Sequence, residues 1–118
     1  MSRVLVTGGA GTIGAAVVRR LAGEPGWEVR VSDQREAPAW MRESCEVHTG
    51  NLLLGDEART AVNGCTHVIH LAAIVGGIAN FHKLPYTLTE VNAAIYNGVV
   101  RAAIEHDVAR SKTIDEET

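Results

Sequence analysis

The 118-residue chain is 46% apolar and 21% charged, with 11 Lys plus Arg against 14 Asp plus Glu, which excludes a disordered or fibrous chain and allows one domain with a single small core. A net charge of -3 leaves no basic footprint for nucleic acid, and no stretch approaches the roughly 18 consecutive apolar residues of a membrane span. Cys45 and Cys65 are too few for a disulfide framework; with no leader-like N-terminus they read as free thiols of a cytoplasmic protein.

Residues 3–6 form a short apolar run that meets Thr7, Gly8 and Gly9, as a buried parallel strand entering a tight turn would. From Ile13 the positions Ile13, Ala16, Val17 and Leu21 recur at helical spacing, and the pattern stops at Gly23, with Pro25 and Gly26 beyond. Residues 27–32 alternate and end at Asp33, which predicts a second strand; residues 34–43 are polar and predict a loop or short helix. A third strand is expected over 45–49, closed by Gly50 and Asn51, then a short helix over 56–62 with Asp56 and Glu57 at its start and Gly64 past its end. Residues 67–71 predict strand four, Gly76 and Gly77 open a loop to about Tyr86, and Leu88, Val91, Ile95, Val99 and Ala102 recur at helical spacing in the longest helix.

Strands alternating with helices imply an α/β fold: a parallel sheet in the order 3-2-1-4, helices on both faces, right-handed crossovers. A fifth apolar run should follow the long helix. Residues 109–118 are polar instead, so the expected division is a domain over 1–108 and a polar tail over 109–118, leaving strand four as a sheet edge.

The chemistry concentrates in Thr7-Gly8-Gly9-Ala10-Gly11-Thr12-Ile13-Gly14, where Gly8, Gly11 and Gly14 stand three apart between a strand and a helix. A glycine-rich turn lets backbone amides approach a pyrophosphate, and the first turn of the helix adds unsatisfied N–H groups and a positive dipole end. Glycines also simply make tight turns; what favours cofactor binding is Asp33, 19 residues beyond Gly14 at the end of strand two, where a carboxylate can accept from both hydroxyls of an adenosine ribose. Such a carboxylate repels a 2'-phosphate, so NAD is the expected cofactor, with NADP the alternative because Arg35 offsets part of the charge.

The spacing of this segment resembles the TGxxGxxG signature of extended short-chain dehydrogenases/reductases, the NAD-dependent epimerase/dehydratase family acting on nucleotide sugars. Gly50-Asn51-Leu52, His70-Leu71-Ala72-Ala73 and Val91-Asn92 resemble further landmarks of that family, and the segment LAAIVGGIAN is most similar to GDP-fucose synthases and GDP-mannose epimerases. The resemblance covers residues 3–108 and implies a Rossmann-like domain in which Gly8, Gly11, Thr12, Ile13 and Gly14 hold the pyrophosphate. It further implies that Asp33 and Gln34 hold the adenine ribose side, Asn51 and Leu52 the adenine, and Leu71, Ala72 and Ala73 the nicotinamide side.

In this family a Tyr-x-x-x-Lys pair handles the proton while hydride passes between substrate and nicotinamide. The only lysines here are Lys83 and Lys112, preceded four residues earlier by Ala79 and Val108, and Tyr86 and Tyr96 are followed at the lysine position by Glu90 and Val100. The resemblance therefore implies a cofactor-binding portion truncated before the catalytic strand and inactive alone. Two alternatives stand beside it, a non-catalytic dinucleotide-binding or regulatory module and a truncated product without its own role.

Five histidines invite a metal reading, but His67 and His70, three apart on a strand, point to opposite faces, and His48, His82 and His106 lack ligand spacing; no metal is expected. The helix over 88–104 has apolar or small residues around much of its circumference, and with the resemblance this implies a homodimer through that helix or the strand-four edge.

Overall fold

The computed structural model describes residues 2–72, 85–106 and 110–113, with the side chains of 2–72 and 92–106. Strand β1 (Ser2–Thr7) runs into helix α1 (Thr12–Ala22), and β2 (Trp27–Asp33) into α2 (Ala39–Ser44) and β3 (Glu46–Thr49). Helix α3 (Gly55–Val62), strand β4 (His67–His70), helix α4 (Pro85–Glu105) and strand β5 (Arg110–Thr113) complete the described elements.

All strand pairs are parallel, in the order β3-β2-β1-β4-β5. The expected order 3-2-1-4 is present within it, and one expectation is corrected: part of residues 109–118 is strand, not tail. Arg110–Thr113 pairs with His67–His70, so β4 is an interior strand and the place after the long helix is filled. A buried strand flanked by helices needs apolar side chains on both faces, whereas Arg110–Thr113 is joined to β4 through backbone pairing, which a polar sequence supplies as well as an apolar one.

Alternation along β1 divides the core. Val4 and Val6 pack with Val18 of α1, Val29 and Val31 of β2 and Met41 of α2 on one face. Leu5 packs on the other with Ala58, Ala61 and Val62 of α3, Val68 of β4 and Ile95, Val99 and Ala102 of α4. Every residue from Val4 to Thr7 is buried, as expected of a central strand covered by helices on both sides. Among the described residues no helix is long and apolar enough to cross a membrane.

One polar group inside this core is structural. Arg30, 8% exposed, donates through Nη1 to the carbonyls of Ala61 and Asn63 at the end of α3, and through Nε to Glu46 at 2.8 Å. Its guanidinium thus satisfies terminal carbonyls and sits at the negative end of the helix dipole. Glu46 is more than half exposed, so the ion pair itself contributes little. Arg30→Met is expected to lower stability by about 2 kcal/mol, because buried carbonyls lose their donor, and Glu46→Gln by under about 0.5 kcal/mol. Urea unfolding of both variants measures the difference.

Cys45 is half-buried and Cys65 buried, both free thiols. Burial pushes the Cys65 thiol up from its ordinary value of 9.0, against the opposing pull of Arg30 and Arg3. Below about pH 9 the thiol is protonated folded and unfolded, and stability is full. Above it the unfolded chain releases a proton that the folded chain retains, so stability falls with rising pH up to the folded value. The urea midpoint is therefore expected to fall more steeply above about pH 9 for the parent than for Cys65→Ala.

Candidate functional site

The parallel register aligns the carboxyl ends of the strands: Thr7 stands beside Ser32 and His70, and Asp33 beside Thr49. Above this rim lies a cleft of about 540 Å3. Its lining includes Gly8, Gly11, Thr12, Ile13 and Gly14 from the first turn, Asp33, Gln34 and Arg35 after β2, Gly50 and Leu52 after β3, Leu71 and Ala72 after β4, and Ile95 of α4. Open parallel sheets bind ligands in this place, at the point where the strand order reverses.

The loop is shaped by backbone, which is why glycine recurs in it. Gly8 has φ +72°, and a methyl group there would stand 2.9 Å from backbone atoms of Leu71 and Ala72. At Gly14 a methyl group would come within 2.1 Å of the Gly8 carbonyl oxygen, so the start of α1 rests directly on the loop. The N-cap, Gly11, offers no side-chain acceptor, and the first turn of α1 holds no acidic residue. The amides of Thr12, Ile13 and Gly14 thus form a helix end with positive potential at the cleft.

The Asp33 side chain is 7% exposed and joins β2 to this loop. Its Oδ2 accepts from the Ala10 amide at 3.0 Å, and its Oδ1 from the Arg35 amide at 2.9 Å. The Arg35 guanidinium adds contacts of 3.2 Å to Oδ1 and 3.3 Å to Oδ2. A methyl group at Gly11 would stand 2.9 Å from Arg35 Nη2, which places the guanidinium over the glycine loop. The arginine is 65% exposed, so it is free to swing toward a ligand, whereas the aspartate is held.

On the β4 side, Thr7 is a hub. Its Oγ1 accepts from the amides of Leu71 at 3.0 Å and Ala72 at 3.1 Å and lies 2.7 Å from His70 Nδ1. With two backbone donors pointing at the hydroxyl, its proton goes to Nδ1, and His70 is held as the Nε2–H tautomer. The His70 ring lies 5.9 Å from that of Tyr96 on α4. His67, by contrast, contacts Trp27 at 4.9 Å on the opposite face, as their spacing predicts. Among the described residues no group of His, Cys, Asp or Glu is arranged to hold a metal ion.

Of the site residues expected from sequence, Gly8, Gly11, Thr12, Ile13, Gly14, Asp33, Gln34, Leu52, Leu71 and Ala72 line one cleft. Asn51 does not line it; its side chain is turned into its own loop. Ala73 and the rest of the segment through residue 84 lie outside the described residues. Sequence reasoning passed over Ile95, whose apolar spacing signalled only core, and Thr7 as a clamp, since its partners are more than 60 residues away.

Known proteins agree with this architecture. Residues 4–113 match the model of the NAD dependent epimerase/dehydratase family. A 3-beta-hydroxysteroid dehydrogenase of Mycolicibacterium neoaurum is 39% identical over 113 residues, 93% of this chain and 31% of that protein. Among solved structures, a uronate dehydrogenase variant from Agrobacterium tumefaciens complexed with NAD superposes with a TM-score of 0.77 at 27% identity, covering 96% of this chain and 40% of that one. A UDP-glucose-4-epimerase from Stenotrophomonas maltophila shares the fold, with a TM-score of 0.80 at 20% identity over 96% of this chain and 36% of that one. The chain thus spans about a third of the hydroxysteroid dehydrogenase it matches. With the family model matched from the third residue of β1 to the end of β5, and the glycine loop, Asp33 and the cleft in place, the chain belongs to the NAD dependent epimerase/dehydratase family.

Proposed function

We propose that this chain is the dinucleotide-binding portion of an NAD-dependent oxidoreductase or epimerase. The observation that carries the reading is the cradle at the start of α1, where the Gly8–Gly14 contact leaves no room for a side chain and the uncapped amides face the cleft. Those amides would hold the pyrophosphate, and Asp33 the adenosine ribose. Leu71 and Ala72, clamped by Thr7, would wall the nicotinamide side, with Ala73 following them. The nicotinamide ring supplies a two-electron hydride acceptor when bound. The part of these residues is to bind it, orient it and shield one of its faces. The Asp33 carboxylate disfavours a 2'-phosphate, which makes NAD the preferred cofactor; Arg35 keeps NADP as the weaker alternative.

The substrate reading is a secondary alcohol. The sequence resemblance favours a nucleotide sugar, and the family's similar proteins include a 3-beta-hydroxysteroid dehydrogenase and a uronate dehydrogenase. A homodimer through α4 is supported by its exposed stripe of Ala93, Ala94, Asn97, Arg101 and Ile104, the last 75% exposed. Free Cys45 and Cys65 suit a reducing cytoplasm.

The 118 residues contain no Tyr-x-x-x-Lys. That favours a second reading, a dinucleotide-binding module without turnover of its own. Titration calorimetry with NAD and NADP tests the shared claim: saturable binding of NAD is expected, and absence of binding by both would overturn it. Reduction of NAD by this chain with a nucleotide sugar or a hydroxysteroid would exclude the second reading.

A further inference from the structure

A buried series of contacts runs from His70 to the glycine loop. The Thr7 side chain is fully buried and His70 is 7% exposed. Thr7 Oγ1 accepts from the Ala72 amide at 3.1 Å and gives its own proton to His70 Nδ1 at 2.7 Å. It also accepts from the Leu71 amide at 3.0 Å, which is shared with the Thr7 carbonyl at 3.1 Å. The peptide joining Leu71 to Ala72 lies against Gly8, where a methyl group would stand 2.9 Å from the Ala72 nitrogen, and the Gly8 carbonyl in turn supports the first turn of α1 at Gly14.

This series is satisfied by one protonation state of the imidazole. Neutral, the ring offers Nδ1 as an acceptor; an imidazolium carries two N–H donors and no acceptor. With hydrogen on Nδ1, Thr7 Oγ1 faces a further donor, and its own buried proton loses its acceptor. Leu71 still has the Thr7 carbonyl, so the bond that gives way is the one from Ala72.

The titratable groups facing the ring are few among the described residues. Tyr96 of α4 lies 5.9 Å away, a phenol, uncharged where a histidine ordinarily titrates. From α3 the residues packed on this face are Ala58, Ala61 and Val62, and β5 sets Thr113 in register with His70. Beyond Thr7 in the same row, β2 and β3 place Ser32 and His48, which are bonded to each other at 3.0 Å.

We infer that His70 is a proton-operated latch on the cleft. Neutral, it holds the Thr7 hydroxyl against Ala72 and keeps the wall and Gly8 in place; protonated, it releases them and weakens the hold on an anionic ligand. The ligand, though not the latch, rests on the dinucleotide reading above. Because the neutral form is the one that binds, affinity is full above the ordinary histidine range near about pH 6.5 and is lost as pH falls below it.

Titration calorimetry with NAD at about pH 8 and about pH 5.5, on the parent and His70→Asn, reads the latch as a ratio within each protein. The carboxamide oxygen of the variant replaces Nδ1 as acceptor and does not titrate. The parent is expected to lose about tenfold in affinity, since a site that must be neutral is opposed by that factor one unit below the histidine range. His70→Asn is expected to lose less than about twofold; His48 is common to both proteins and cancels. A loss in the parent no larger than in the variant would overturn the inference. NMR of the parent's ring nitrogens and amides needs neither the variant nor a ligand. At about pH 8 the His70 hydrogen is expected on Nε2, and the Ala72 amide resonance is expected to move with the ring as pH falls. A hydrogen on Nδ1 at that pH, or an Ala72 amide that ignores the ring, would overturn the latch and leave dinucleotide binding standing. If NAD binds the parent at neither pH, the dinucleotide reading falls and the NMR result still decides the latch.

Discussion

Gly14→Ala is expected to cost about 3 kcal/mol of stability and to abolish dinucleotide binding, because the added methyl group meets backbone and not a yielding side chain. It would stand 2.1 Å from the Gly8 carbonyl oxygen and 2.8 Å from both the Gly8 carbonyl carbon and Gly9 Cα. Relief requires lifting α1 off the loop, which drags Val18 from the core it shares with Val4, Val6 and Val31. The same displacement moves the amides of Thr12, Ile13 and Gly14 away from the pyrophosphate they are proposed to hold. Gly23→Ala is the control. That residue follows α1 with φ -86°, and a methyl group there meets only the Arg20 carbonyl oxygen at 3.8 Å. It should leave binding unchanged and shift stability by less than about 1 kcal/mol, toward stabilisation. Urea unfolding with calorimetry on both variants checks the pair.

Asp33→Asn is expected to weaken NAD binding by about 10- to 100-fold, the range for a hydrogen bond that loses its charge, while leaving the fold nearly intact. The amide keeps an oxygen for the Ala10 N–H, so the link from β2 to the glycine loop survives. What disappears is the anion that attracts the ribose hydroxyls and repels a 2'-phosphate. The Arg35 guanidinium, no longer drawn to both carboxylate oxygens, becomes available to a phosphate. NADP affinity should therefore rise relative to NAD in Asp33→Asn and fall in Arg35→Ala. Parallel titrations with both cofactors read the ratio directly, and equal ratios in the parent and both variants would remove these two residues from cofactor selection.

The features legible in the sequence were those set by local covalent geometry or by side-chain period. The glycines of the first turn were legible because backbone approach excludes side chains at Gly8 and Gly14. Asp33 was legible because it follows an apolar run of strand length at a fixed distance from that turn. The two faces of β1 follow from alternation, and the inward face of α4 from the spacing of Ile95, Val99 and Ala102.

Other features depend on partners distant along the chain. Nothing in the polar string at 110–113 marks a strand, since what makes it one is the row of backbone groups that β4 presents to it. The alternation of β2 does not explain the burial of Arg30, which follows from α3 placing its terminal carbonyls over the guanidinium. The role of Asn51 changed for a similar reason. A resemblance assigns a residue by position, while the choice between facing a ligand and closing a turn is made by the competing donors nearby, here the amide of Leu53 and the side chain of Gln34.

The amino-acid sequence by itself determined the alternating elements, the glycine turn, the carboxylate at the end of the second strand and the family, because each is a property of spacing along the chain. The tertiary structure alone decided that part of the polar segment after the long helix pairs with β4, that Thr7 clamps the opposite wall, and that the Asn51 side chain turns into its own loop instead of lining the cleft. Those outcomes turn on which hydrogen-bonding groups folding brings within about 3 Å of each other, and chain order does not specify that.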